Sequence, residues 1–219
     1  MKRYFIKTPW WLKRIYPGYL WQVPAREKVL YLTFDDGPHP EATPFVLETL
    51  RPYQAQATFF CIGNNVRQNP GLYQQILDAG HKVGNHTQQH LNGWKTGTRD
   101  YLADVAAAAR WIDSELFRPP YGRITRFQAA GVREVLRRPD ARIVMWDVLS
   151  ADFDTTLTGK QCAEYVVLKA EPGSIVVFHD SQKAWDRLRV CLPAVLAHFS
   201  AEGYRFHSLA SAQQGPVRN

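Results

Sequence analysis

The sequence predicts a single α/β domain built around a parallel sheet, and three observations carry that expectation. After Pro24, short apolar runs alternate with longer helical patterns, which implies parallel strands joined by right-handed crossovers. The 219 residues suffice for one substantial core, and α/β barrels of this size commonly form one domain. Ionisable residues gather just beyond the apolar runs, at the carboxyl ends of the strands, where barrels and doubly wound sheets alike place their ligands. Seven strands suit a barrel rather than an open sheet, although spacing alone leaves a doubly wound fold open.

Taken in order, strands are predicted over 28–34, 57–62, 81–85, 117–119, 141–146, 174–179 and 204–207. Helices are predicted over 44–51, 71–79, 98–115, 127–137, 158–170 and 185–201. The first strand is the apolar run Lys28-Val29-Leu30-Tyr31-Leu32, which leads through Thr33-Phe34 into Asp35-Asp36-Gly37-Pro38. Gly80 closes the Leu72-Ile76-Leu77 helix, and Gly203 closes the Val190-Val195-Leu196-Phe199 helix, as glycine does past a helix end. The core domain is expected over 25–210, with an N-terminal extension at 1–24 and a tail at 211–219.

Composition excludes several classes. With 45% hydrophobic and 21% charged residues and no repeat, the chain is neither disordered nor a solenoid. Cys61, Cys162 and Cys191 are odd in number and form no CxxC pair, so neither a disulfide framework nor a thiolate zinc site is suggested. The basic start has no apolar run behind it before Lys7, Lys13 and Arg14 intervene, so no cleavable signal is expected and the chain is placed in the cytoplasm.

A net charge of +7 favours anionic partners, yet the basic residues are scattered. Arg137-Arg138 and Arg187 with Arg189 are read as solvated helix faces, and no nucleic-acid partner is expected. The aromatic, basic stretch from Tyr4 to Trp21 has two readings. It packs across the bottom of a barrel, or residues 1–22 make peripheral contact with a membrane. The packing reading is preferred.

The strand ends hold Asp35-Asp36, His86-Thr87-Gln88-Gln89-His90, Arg118-Pro119-Pro120-Tyr121-Gly122, Asp147 and Asp152, and His179-Asp180. Asp-Asp-Gly-Pro by itself is equally an ordinary turn. His86 and His90, four apart, would share one face of a helical turn and could ligate a single ion, though such pairs are often surface residues. A carboxylate from Asp35-Asp36 changes that, because two imidazoles and one carboxylate form a recurrent open metal site.

The whole set resembles the NodB-homology polysaccharide deacetylases, carbohydrate esterase family four. Five motifs appear in family order: Thr33-Phe34-Asp35-Asp36-Gly37-Pro38, His86-Thr87-Gln88-Gln89-His90, Arg118-Pro119-Pro120-Tyr121, Trp146 through Phe153, and Val177-Phe178-His179. The resemblance implies a distorted (β/α)7 barrel and hydrolytic deacetylation of an N-acetylated sugar, as in chitooligosaccharide or peptidoglycan. O-deacetylation of acetylated xylan and a non-catalytic carbohydrate-binding module are the alternatives.

It further implies a divalent ion on Asp36, His86 and His90, zinc first, with cobalt, manganese or nickel as substitutes. Asp35 becomes the general base, tethered by Arg118, and His179 the general acid, oriented by Asp152. The Tyr121 backbone N–H becomes an oxyanion donor, and Trp146, Phe153 and Val177 line the acyl pocket. Phe153 and Val177 stand where the family commonly has Trp and Leu, which bears on substrate rather than reaction. Asp147, Asp180 and Thr87 are assigned no role, and a monomer is expected.

Overall fold

The computed structural model describes residues 4–209; the expected tail at 211–219 lies outside them. The strands are β1 (Val29–Asp35), β2 (Thr58–Cys61), β3 (Lys82–Asn85), β4 (Leu116–Phe117), β5 (Arg142–Ile143), β6 (Val148–Leu149), β7 (Ile175–His179) and β8 (Arg205–Phe206). The helices are α1 (Trp10–Ile15), α2 (Ala42–Leu50), α3 (Gly63–Gln68), α4 (Pro70–Asp78), α5 (Thr98–Ala108), α6 (Arg126–Leu136), α7 (Gly159–Lys169) and α8 (Trp185–Ala201).

Seven strands run along one path in the order β5-β4-β3-β2-β1-β7-β6, every pair parallel, and β8 joins the start of β1. The two edges of that path, β5 and β6, are separated by four residues, 144–147. A flat sheet of seven strands would place its edges about 29 Å apart, whereas five residue steps reach about 17 Å at most. The sheet therefore curls round on itself. This is the (β/α)7 architecture, and it removes the doubly wound alternative.

The predicted strand 141–146 is thus the first half of a kinked segment that serves both edges. Before the kink, Val144 N–H bonds the Phe117 carbonyl at 2.8 Å; after it, Asp147 N–H bonds the Ile175 carbonyl at 3.0 Å. The N-terminal extension lies along this kink and, through Leu20 to Val23, also packs at the start of β7 at the bottom of the barrel. Leu149 N–H donates to the Ile6 carbonyl and Thr8 N–H to the Asp147 carbonyl, while Met145 N–H donates to the Leu20 carbonyl, each at 2.8 Å. Edge groups that the kink leaves exposed are thereby paired. Lys7 and Lys13 fix the segment to the buried Asp147 carboxylate at 2.7 and 2.6 Å, which gives Asp147 a structural role.

Period-two alternation sorts the two central strands. Leu30, Leu32 and Phe34 of β1 and Val176 and Phe178 of β7 pack outward into a core shared with Val46, Leu50, Leu188, Leu192 and Val195. Phe34 stacks between Phe59 and Phe178, with ring centres 5.0 and 5.7 Å away. The alternate residues, Thr33 and Asp35 on β1 and Val177 and His179 on β7, face the barrel interior.

Other departures from expectation are local. The helix expected over 98–115 ends at Ala108, because Ser114 turns inward. Its hydroxyl donates to the Val83 carbonyl at 2.6 Å and accepts from Leu116 N–H at 3.0 Å, which starts β4. Arg187 is buried rather than solvated, and its Nε donates to the Asp152 carbonyl at 2.6 Å. The three cysteines are buried thiols packed in the core. Among the described residues no helix is long and apolar enough to cross a membrane.

Candidate active site

Arg118 is fully buried at the end of β4, and its guanidinium is spent on the site. Nη1 donates to Asp35 Oδ1 and to Thr33 Oγ1, both at 2.7 Å. Nε and Nη2 reach the carbonyls of Val144 and Met145 at 3.3 and 2.9 Å. These are the carbonyls that the kink frees, so the break between β5 and β6 is what seats the arginine. Phe60 stacks under the guanidinium at 4.1 Å from the ring centre, and Trp146 lies at 6.0 Å. Asp35 is itself buried, so its carboxylate has one orientation available.

Asp36 follows with a left-handed backbone, φ 81°, which turns its side chain away from that of Asp35. Asn65 Nδ2 holds the conformation by donating to the Asp36 carbonyl at 2.6 Å. His86 and His90 come from the loop after β3, and they are not on a helical turn as the spacing suggested. Thr87 and His90 have φ of 64° and 57°, and this tight loop brings the imidazole centres to 5.1 Å. Asp104 of α5 braces the loop by accepting from the N–H groups of Gln88 and Gln89 at 2.9 and 3.0 Å.

The ligand atoms of Asp36, His86 and His90 all lie within 4.8 Å of one another. Asp36 Oδ1 is buried without a hydrogen-bond partner, 3.7 Å from His86 Nε2 and 3.2 Å from His90 Nε2. His86 Nδ1 donates to the Arg118 carbonyl at 2.7 Å, which leaves the Nε2 lone pair directed at the carboxylate. His90 Nδ1 lies 3.1 Å from the Tyr121 hydroxyl.

The electrostatics agree with this geometry. Burial pushes the His86 imidazole down to about 4, so it is neutral and able to ligate at neutral pH. Burial raises the Asp36 carboxyl, but contact with His90 and the charges of His179 and His86 outweigh it, holding the group well below the carboxylate range. An ionised carboxylate, a neutral buried imidazole with a second imidazole beside it, and an orphaned buried oxygen fit a divalent cation.

On the neighbouring strand β7, His179 Nδ1 lies 2.7 Å from Asp152 Oδ1, and its backbone N–H donates to Oδ2 of the same carboxylate at 2.9 Å. Burial alone would lower the imidazole, but the charge and hydrogen bond of Asp152, with Asp36 and Asp35 beyond, raise it to about 9. His179 is therefore a stored imidazolium at neutral pH. Phe153 stands edge-on to its ring at 5.3 Å, and Val177 lies one pleat below it on the interior face of β7. Tyr121 is left-handed at φ 60°, in a turn closed by the Gly122 and Arg123 N–H groups on the Pro119 and Pro120 carbonyls at 3.0 Å.

Five contacts of the candidate site are not legible in the sequence. The Tyr121 hydroxyl on His90, Asn65 on the Asp36 backbone, Asp104 under the histidine loop and Thr33 on Arg118 all join residues far apart in sequence. Asp180 is the fifth: it accepts from Gly37 N–H at 3.1 Å and from the Thr43 hydroxyl at 2.6 Å. A Cβ at Gly37 would sit 2.0 Å from its Oδ2, so the Gly in Asp-Asp-Gly-Pro is required by a carboxylate at the end of β7.

Comparison with known proteins follows the same lines. The family described as polysaccharide deacetylase matches residues 22–137. A peptidoglycan-N-acetylglucosamine deacetylase of Bacillus cereus is 36% identical over 196 residues, covering 86% of this chain and 90% of the relative. A chitooligosaccharide deacetylase of Azorhizobium caulinodans is 30% identical over 197 residues, covering 87% of each. Against PgdA of Listeria monocytogenes identity is 32% over 185 residues, but the match takes in 37% of that longer protein. Among solved structures, the Bc1960 peptidoglycan N-acetylglucosamine deacetylase superposes with a TM-score of 0.79 at 27% identity, over 92% of this chain and 95% of that one.

Proposed function

The chain belongs to the polysaccharide deacetylase family, and we propose that it hydrolyses the N-acetyl group of an N-acetylglucosamine-containing saccharide, such as chitooligosaccharide or peptidoglycan. Asp36, His86 and His90 would hold a divalent ion, zinc by the softness of its two imidazole donors. A metal there supplies an acidified water and a polarised acyl oxygen. Asp35, locked by Arg118, takes the proton from the attacking water. The Tyr121 backbone N–H donates to the oxyanion as it develops. His179, charged through Asp152, delivers a proton to the departing amine nitrogen. Phe153, Val177 and Trp146 keep the acyl end of the site dry.

One observation carries this reading above all. A carboxylate bound to Arg118 and an imidazolium bound to Asp152 occupy adjacent strand ends beside a cluster of Asp36, His86 and His90. That is a base, an acid and a cation seat around one cleft. The experiment is acetate release by the zinc-reconstituted protein from chitooligosaccharides, peptidoglycan and acetylxylan, alongside Asp35→Asn. Loss of the base should lower release about 10²–10⁴-fold, and chelation should abolish it. Equal release by both proteins would refute the assigned base. Release from acetylxylan alone would make the substrate an ester.

A further inference from the structure

We propose that the N-terminal segment is a docking surface for an anionic lipid bilayer. No residue of α1 is fully buried, and Leu12 packs in part against the core. Trp10 is 74% exposed, Ile15 59%, Tyr16 46% and Trp11 45%, with Phe5 at 57% beside them. Phe5 and Trp11 meet edge to face at 6.5 Å, and with Trp10 and Ile15 of the same short helix they make up an exposed ridge. The ridge is held in place from beneath by Lys7 and Lys13 on buried Asp147 and by the backbone bonds along the kink. Five large apolar side chains are thus presented outward by a segment anchored on its other face.

Charge and residue type identify the occupant. Residues 1–22 contain Lys2, Arg3, Lys7, Lys13 and Arg14 and no Asp or Glu, so they carry five of the chain's seven net positive charges. Asp147 and Glu171 offset Lys7 and Lys13, which leaves Arg14 among the described residues and two further cations in the sequence. Trp and Tyr interspersed with cations are the side chains that settle at a lipid headgroup boundary. A second copy of the chain is a poorer fit. A six-residue helix is about 9 Å long, while a stable dimer buries about 800 Å² per partner.

The start of the segment also reaches the candidate site. Tyr4, one residue before Phe5, packs edge-on against Phe153 at 5.3 Å, and Phe153 packs in turn against His179 at 5.3 Å. The Tyr4 hydroxyl is tied to Asp154. One end of the segment therefore forms part of the rim around the general acid while the other carries the ridge.

Flotation of the full-length protein with phosphatidylglycerol-containing vesicles tests this, against pure phosphatidylcholine vesicles and at low and high salt. Wild-type protein should partition onto the anionic vesicles, more weakly at high salt. The triple variant Trp10→Ser, Trp11→Ser, Ile15→Ser should bind at least about tenfold less, and Arg14→Glu should weaken binding at low salt alone. Both variants alter exposed side chains, so acetate release from a soluble chitooligosaccharide should stay at the wild-type level. Failure of the wild-type protein to float, or equal flotation of the triple variant, would overturn the proposal. So would a wild-type dimer in sedimentation that the triple variant loses, since the ridge would then be a subunit interface. Retention of the wild type on insoluble peptidoglycan, lost in the triple variant without any change in flotation, would reassign the ridge to saccharide.

Discussion

Asp35 and His179 are register partners on the adjacent parallel strands β1 and β7. Their Cα positions are therefore about 4.8 Å apart in the sheet direction, and their side chains leave the same face. Each is held by a partner of opposite sign from a different strand end, Arg118 at 2.7 Å and Asp152 at 2.7 Å. Two groups of opposite proton affinity thus stand side by side because backbone pairing puts them there. The proposed acid and base are positioned by paired strands rather than by loops.

The first prediction concerns the charge on His179. An NMR titration of the metal-free protein should place its imidazole at about 9, so the acid form is retained from neutral pH up to that point and lost above it. In Asp152→Asn the raising influence goes and burial remains, so the titration should move down by more than one unit. Activity that needs the imidazolium should then fail at lower pH in the variant. An unmoved titration would show that Asp152 does not set the charge.

Tyr121 offers a separation of roles. Its backbone N–H is assigned to the oxyanion, while its hydroxyl supports His90 at 3.1 Å. Tyr121→Phe keeps the first and deletes the second. Zinc affinity, read by competition with a chromophoric chelator, should fall about 10- to 100-fold, as when an outer partner of a ligating histidine is lost. At saturating zinc, activity should recover. Persistent loss under saturation would mean that the hydroxyl itself acts on substrate.

Arg118 is predicted to matter for folding as much as for catalysis. Arg118→Met strands the buried Asp35 carboxylate and unpairs the Val144 and Met145 carbonyls at the kink. Removing one partner of a buried ion pair costs about 3–5 kcal/mol, which urea denaturation would resolve. Adding Asp35→Asn should restore part of that loss, since no unpaired charge then remains. Strict additivity of the two substitutions would show that the pair is not coupled.

The fold and most of the site were legible in the sequence for a physical reason. Strand ends are punctuated by residues whose chemistry is unusual in a core, and Asp35, Asp36, His86, Arg118 and His179 each terminate an apolar run or stand just beyond it. The kink at 144–147 was not legible, because Val144, Met145 and Trp146 read as one apolar strand and the bend is set by Arg118 reaching in from β4. The helical face assumed for His86 and His90 failed because Thr87 and His90 adopt left-handed backbone angles, which their side chains do not advertise. Tyr4 was beyond reach for a similar reason: only the closed barrel brings position 4 to Phe153.

The final prediction separates stability from catalysis. His81 is buried at the start of β3, accepts from Ala57 N–H through Nδ1 at 3.3 Å, and lies against Phe59 with ring centres 5.3 Å apart. Burial pushes its imidazole from 6.5 down to about 4. Between those values the unfolded chain binds a proton that the folded one refuses, so stability is complete above pH 6.5 and is lost as pH falls towards 4. Full titration amounts to about 3 kcal/mol. His81→Asn retains an acceptor near the Nδ1 position and cannot be protonated there, so its urea midpoint should decline less steeply from pH 6.5 to 4 than the wild-type midpoint. His86 and the carboxylates titrate in both proteins, and their contribution cancels in the difference. Parallel curves would mean that His81 is already neutral in both states, or solvated in both, and would remove it as a source of acid sensitivity.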